Sequence, residues 1–156
     1  SFQQNNAMNK IIEKLASTNN ALTSLPLRFG LGIVMAAHGS QKLFGSFGGY
    51  GLQGTAGFFE NSLGMKPGIL FAALAGGTEF FGGLLLIIGL ATRPAAALIG
   101  ITMLVALISV HSGSFFAPEG MEYLLVLISA SISLIINGGG AWSIDHRIST
   151  NSNASL

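Results

Sequence analysis

Six ionisable residues fall within, or at the ends of, apolar stretches long enough to cross a membrane: Arg28, His38, Lys42, Glu79, His111 and Glu122. A charge in hydrocarbon is costly, so such side chains face a protein interior or a wet cavity and often mark function. Glu79 is the sharpest of them. An isolated carboxylate at that depth must be protonated or paired, with His38, Lys42 or Arg28 as its candidate partners. It could relay protons or hold a ligand, or it could simply join two helices. His38 and Lys42 are one turn apart and point the same way. Together they could bind an anion or a quinone carbonyl, with His38 passing protons; the plainer role for Lys42 is that of a snorkelling lysine near a helix end.

His111 and Glu122 flank a second loop, Ser112–Glu119. A carboxylate at a helix start, as Glu122 is, also favours the positive end of the helix dipole. His111 suits a metal or haem ligand, or a helix-end residue at the interface. Two histidines and two glutamates on different helices make a weak metal pattern. A shared polar site without a metal is therefore the expectation. Glu79 and His38 take the catalytic roles in it, and Lys42, His111, Glu122 and Arg28 the substrate-binding ones.

Four helices must position these groups. The apolar runs are about Leu25–Phe44, Gly68–Leu90, Ala95–His111 and Met121–Asn137, each near the ~20 residues that cross a bilayer core. The spacing predicts an all-α integral membrane four-helix bundle. Between the first two runs, Thr55–Leu63 can form an interfacial or re-entrant helix, with Phe58, Phe59 and Leu63 on one face and Gly64 ending it. Residues 1–24 form a cytoplasmic tail in which Met8, Ile11, Ile12 and Leu15 share a helical face. Residues 25–145 form the membrane domain, and 146–156 a polar cytoplasmic tail. Gly138-Gly139-Gly140 reads as a flexible exit from the fourth span, and Tyr50, Tyr123 and Trp142 as aromatic-belt anchors.

The polar groups share helical stripes. These are Arg28, Leu31, Met35, His38 and Lys42 on the first span; Ala72, Gly76, Glu79 and Gly83 on the second; and Glu122, Val126, Ser129, Ser133 and Asn137 on the fourth. At ~1.5 Å per residue Glu79 lies near the midplane, with Lys42, His111 and Glu122 near the outer boundary and Arg28 at the opposite end. The stripes predict an interior seam running from the outer surface to the bilayer centre.

Composition narrows the chemistry. Half of the 156 residues are hydrophobic and only 8% are charged, with a formal net charge of +1. No basic patch with interleaved aromatics is present, which argues against a nucleic-acid partner. The absence of cysteine removes disulfides, thiol redox chemistry and cysteine-ligated clusters. Lys10, Lys14, Arg93 and Arg147 fall on the side of both termini, and Lys42 and Lys66 on the other. The positive-inside rule then predicts a multi-pass protein of the bacterial inner (plasma) membrane with both termini cytoplasmic. The polar start, Ser1–Asn6, lacks the pattern of a cleaved signal peptide and reads as a native tail or an added one.

Several short motifs occur together: Arg28-Phe29-Gly30, His38-Gly39-Ser40-Gln41-Lys42-Leu43-Phe44-Gly45, Phe47-Gly48-Gly49-Tyr50-Gly51, Glu79-Phe80-Phe81-Gly82-Gly83 and Gly89-Leu90-Ala91-Thr92-Arg93. His111 follows with Gly113 and Phe115-Phe116, then Glu122 and Asp145. In this combination, from about Leu27 to Asp145, the chain resembles the DoxX family of small bacterial membrane proteins. The resemblance implies a four-helix membrane bundle and makes His38, Lys42, Glu79, His111 and Glu122, with Arg28 beside them, the shared site. It also implies a redox link, since the family takes its name from a subunit linked to thiosulfate:quinone oxidoreductase, while distant eukaryotic relatives act as membrane chaperones or cargo receptors. Two readings follow. One is a redox-associated subunit binding a quinone or a small sulfur-containing or anionic substrate from the outer side, with membrane lipid, a redox partner subunit or a second copy as its partners. The other is a non-enzymatic assembly partner, chaperone or small-molecule carrier. Haem held by His38 and His111 is a weaker third option.

Overall fold

The structure is a computed structural model that describes residues 2–116, 118 and 120–154. Ser1, Ala117, Glu119, Ser155 and Leu156, which belong to the expected tails and second loop, lie outside the described residues. The elements are α1 (Phe2–Ala16), α2 (Ser24–Phe44), a 3-10 turn (Ser46–Gly48), α3 (Gly51–Asn61), α4 (Gly68–Ile88), α5 (Thr92–Ser109), α6 (Glu122–Asn137) and α7 (Ile144–Ala154). The described residues contain no strand, so the all-α expectation holds. Two of the expected spans, α4 and α5, are long and apolar enough to cross a membrane; α6 is apolar but shorter. α2 matches α4 in length at 21 residues, but it carries Arg28 and Lys42.

The core sits where α2, α4, α5 and α6 meet. Leu31 and Met35 come from α2, Leu86 from α4, Ala95, Ala96, Ile99 and Met103 from α5, and Leu127 and Leu134 from α6. Small residues bring α2 and α4 close together in antiparallel register. A Cβ on Gly39 would lie 2.2 Å from the Phe80 nitrogen, and one on Gly83 would lie 2.5 Å from the Ala36 nitrogen. No side chain larger than hydrogen fits at either crossing without displacing backbone. α3 covers the far end of this pair. Its Thr55 hydroxyl donates to the Lys42 carbonyl (3.3 Å), and the Glu60 carboxylate accepts the first α4 N–H, that of Gly68 (3.2 Å). A helix thus occupies the segment where one is expected over 55–63, shifted toward Gly51.

At the opposite end, beside α1 and α7, buried polar groups lock the four helix ends together. The Arg28 guanidinium donates to five backbone carbonyls: Leu86 and Ile87 at the end of α4, and Gly139, Ala141 and Trp142 after α6. Asp145 accepts from the N–H groups of Ala91 and Thr92 at 2.8 and 2.9 Å, capping α5 from another segment and holding Ala91 at a left-handed φ of 48°. Arg93 donates to the carbonyls of Ser17, Ile135 and Ile136. The last carbonyls of α4 and α6, which no helix can satisfy internally, are met by cations.

Several expectations change here. Gly138–Gly140 is not a flexible exit: all three residues are buried, Gly140 donates to Thr18, and Ala141 donates to the Ala21 carbonyl. The fourth-span stripe does not face the seam. Val126, Ser129 and Asn137 are exposed, and the hydroxyl of Ser129 and the amide of Asn137 return to carbonyls of their own helix. The inward face of α6 is Leu124, Leu127, Ser131 and Leu134. A polar side chain on a helix can satisfy itself on the preceding turn, which removes the need for an interior partner. The tail after Asp145 is helical as α7, whereas the helical face of Met8, Ile11, Ile12 and Leu15 is present on α1 as expected, with all four side chains exposed.

Candidate functional site

Glu79 stands in the middle of α4 with its side chain only 3% exposed. Ala72, Gly76 and Gly83 on the same face are buried with it, as the second-span stripe predicts. Its Oε2 accepts from Lys42 Nζ at 2.5 Å, so Lys42 is the partner among the three candidates. Lys42 belongs to the last turn of α2, and its Cβ and Leu43 pack over Gly76, one turn from Glu79 toward the α3 end. The lysine stem spans that offset while its head reaches the carboxylate. The close α2–α4 approach at Gly39 and Gly83 makes this reach possible. Lys42 itself is 30% exposed, so the pair is dry on the glutamate side and accessible on the lysine side.

Two cavities meet at this pair. One, about 330 Å³, lies between α2, α5, α6 and the second loop, and takes in His38, Tyr123, Met35 and Met103. The other, about 510 Å³, lies under α3 between α4 and α5 and is walled mainly by apolar side chains. Lys42, Glu79, Ala106 and His111 line both. These four residues therefore form the partition between a mixed polar chamber and an apolar groove. His38 is exposed along the polar chamber, and His111 is half-buried.

The structure thus brings His38, Lys42, Glu79 and His111 together. Glu122 begins α6, its N–H donating to the Phe115 carbonyl, and is not among the residues lining either cavity. Arg28 is apart from the group, with its donors directed at the backbone lock of the opposite end. A third hollow at that end, about 560 Å³ beside Asn20, Trp142, His146 and Arg147, contains none of the six residues. Tyr123, read from sequence as a belt residue, lines the polar chamber while remaining 44% exposed. Its only sequence signal was adjacency to Glu122. Ala106 carried no signal at all, because an alanine in an apolar helix looks like any other.

The DoxX family's sequence profile matches residues 23–112, which run from the start of α2 through His111. The chain belongs to the DoxX family. The match takes in Arg28, His38, Lys42, Glu79 and His111 and leaves α6 with Glu122 outside it. Among curated relatives, an "Uncharacterized membrane protein" of Mycobacterium tuberculosis is 31% identical over 140 residues, 82% of each chain. "Putative oxidoreductase CatD" of Bacillus subtilis is 34% identical over 112 residues, 71% of this chain and 77% of that one. A Haemophilus influenzae protein is 32% identical over 106 residues, 62% of this chain and 79% of that one. No solved structure matches. This DoxX protein is accordingly a membrane protein, with α4 and α5 as the two helices that are both long and apolar enough to cross a bilayer.

Proposed function

We propose that this DoxX protein is a redox-associated subunit of the bacterial inner membrane. In this reading α2, α4, α5 and α6 all cross the bilayer, both termini are cytoplasmic, and the Lys42–Glu79 end opens outward. The observation that carries the reading is a buried carboxylate paired to a half-accessible lysine at the junction of two cavities. A purely structural ion pair has no need of adjoining space, whereas a ligand site does. Lys42 orients a carbonyl or anionic group of a quinone or a small sulfur-containing substrate. Glu79 and His38 take up and release protons as that group changes oxidation state. His111 closes the chamber on the α5 side, and Pro118 of the second loop, with Gly120 and Tyr123, shapes its mouth. Electrons pass between the substrate and a quinone, or to a partner subunit, since the chain has no cysteine. One relative's name points the same way.

The test is quinone-dependent oxidation of thiosulfate or sulfite by the protein purified from its own membrane with whatever subunits accompany it. Glu79→Gln and Lys42→Met are expected to lower the rate, normalised to folded protein, at least tenfold. Absence of quinone binding, together with an unchanged redox rate in Glu79→Gln, would overturn the proposal in favour of an assembly or carrier role.

A further inference from the structure

We propose that the site takes an amphipathic ligand that enters sideways from the bilayer, its head at Lys42, Glu79 and His111 and its apolar chain in the groove beneath α3. This rests on the membrane-crossing, ligand-binding reading above and adds the ligand class and its route. The groove has its mouth between α4 and α5. Leu74 on α4 and Leu98 and Ile101 on α5 stand there, each more than half exposed. These two helices are the ones long and apolar enough to span a bilayer. A gap between two spanning helices opens onto acyl chains, so whatever enters it must already be dissolved in the membrane.

The walls fit a chain rather than a polar solute. Phe58 and Phe59 of α3 form the roof, and Phe59 stacks on Phe71 of α4 with centroids 6.3 Å apart. Two of the hydroxyls along the groove are internally bonded: Thr102 donates to the Leu98 carbonyl, and Thr55 to the Lys42 carbonyl. The charged groups of the groove stand together at its deep end, where it meets the polar chamber. An ammonium there favours a head that accepts hydrogen bonds, and the carboxylate favours one that can also donate. A small hydrophilic anion could use the polar chamber but would leave the groove empty.

The test uses the full chain in lipid nanodiscs and two photoreactive probes with the same ten-carbon, diazirine-tipped tail. One probe carries a benzoquinone head, and the other a redox-inert 4-hydroxybenzoate ester head. Labelled sites are mapped by peptide mass spectrometry at equal probe-to-lipid ratios. Both probes are expected to label 74–78 and 98–105 preferentially. Ala75→Phe and Leu98→Trp, which fill the groove and its mouth, should cut this labelling roughly tenfold, the order expected when about two methylene groups lose their burial. Ala73→Phe, on the same helix but lining neither the groove nor the polar chamber, should leave it unchanged. Labelling spread evenly over the outer faces of α4 and α5, indifferent to Ala75→Phe and Leu98→Trp, would overturn the groove. Groove labelling by both probes with no quinol formed under any donor would instead keep this inference and remove the redox assignment.

Discussion

Lys42 and Glu79 meet at 2.5 Å across two helices that approach closely enough for backbone to touch backbone. Their burial is unequal, at 30% and 3% exposure. That inequality decides what happens when either is removed. A lysine left alone can turn its head to the cavity and to water. A carboxylate left alone cannot, and stays buried without its partner at a large desolvation cost.

Lys42→Met should therefore destabilise the fold more than Glu79→Gln. Breaking a buried pair costs about 3–5 kcal/mol when the survivor is trapped, and well below that when it can reach solvent. The double variant Lys42→Met/Glu79→Gln should recover part of the loss, because no unpaired charge remains. Denaturant titration of the four proteins in one detergent gives the cycle. Equal losses for the two single variants would show that the asymmetry has no energetic consequence.

Arg28 is a keystone at the other end. Its five donors reach carbonyls of two separate segments, and Arg28→Lys supplies fewer donors on a head that cannot fork. Several carbonyls would be left buried and unmet, at about 1–3 kcal/mol each. Arg28→Lys should thus lower stability by at least about 3 kcal/mol while leaving the local geometry of the Lys42–Glu79 pair intact. The check is a denaturation midpoint alongside probe binding measured below that midpoint. A stable Arg28→Lys protein that fails to bind ligand would return Arg28 to the binding site expected from sequence.

Helices, their order and most of the inner site were legible in the sequence, because a charge inside an apolar run has few physical explanations. Glu79 announced itself that way, and spacing alone put His38 and Lys42 on one face. The stripe on α6 misled for a definable reason. Serine and asparagine can bond to their own helix, so their spacing says nothing about which way they face. The triglycine misled because glycine signals either freedom or close approach. Here it is close approach: a Cβ on Gly139 would lie 2.7 Å from the Ser143 hydroxyl oxygen. Arg28 was rightly read as buried and at the far end, but its partners are backbone atoms, which no side-chain pattern reveals.

Glycine positions offer a test with a control built in. Gly39→Ala and Gly83→Ala each force a methyl group into backbone of the facing helix and should cost about 1–3 kcal/mol. They should also push α2 from α4 and lengthen the Lys42–Glu79 contact. Gly30 and Gly77 lie on the same two helices, but an added Cβ there meets nothing within 4 Å. Gly30→Ala and Gly77→Ala should be neutral or stabilising, by up to about 1 kcal/mol from helix propensity. Thermal melts of the four variants separate crowding from propensity. Uniform behaviour across all four would mean that the helices are not in close contact.

Asp145 tests whether the far-end lock matters to the start of α5. It accepts from two consecutive N–H groups with separate oxygens, and Ala91, the first of the two donors, holds a left-handed backbone. Asp145→Asn keeps one acceptor oxygen and puts an amide against the second N–H, so one bond is exchanged for a repulsion. The loss should be about 1–2 kcal/mol, the range of a lost helix cap. Faster amide exchange should appear first at Ala91 and Thr92 and then along the first turn of α5. Ala91→Gly removes the strain of the positive φ and should offset part of the Asp145→Asn loss, since glycine adopts that conformation unaided. Hydrogen exchange on the single and double variants reads both effects. Unchanged exchange at residues 91 and 92 in Asp145→Asn would mean that the α5 start is held by packing alone.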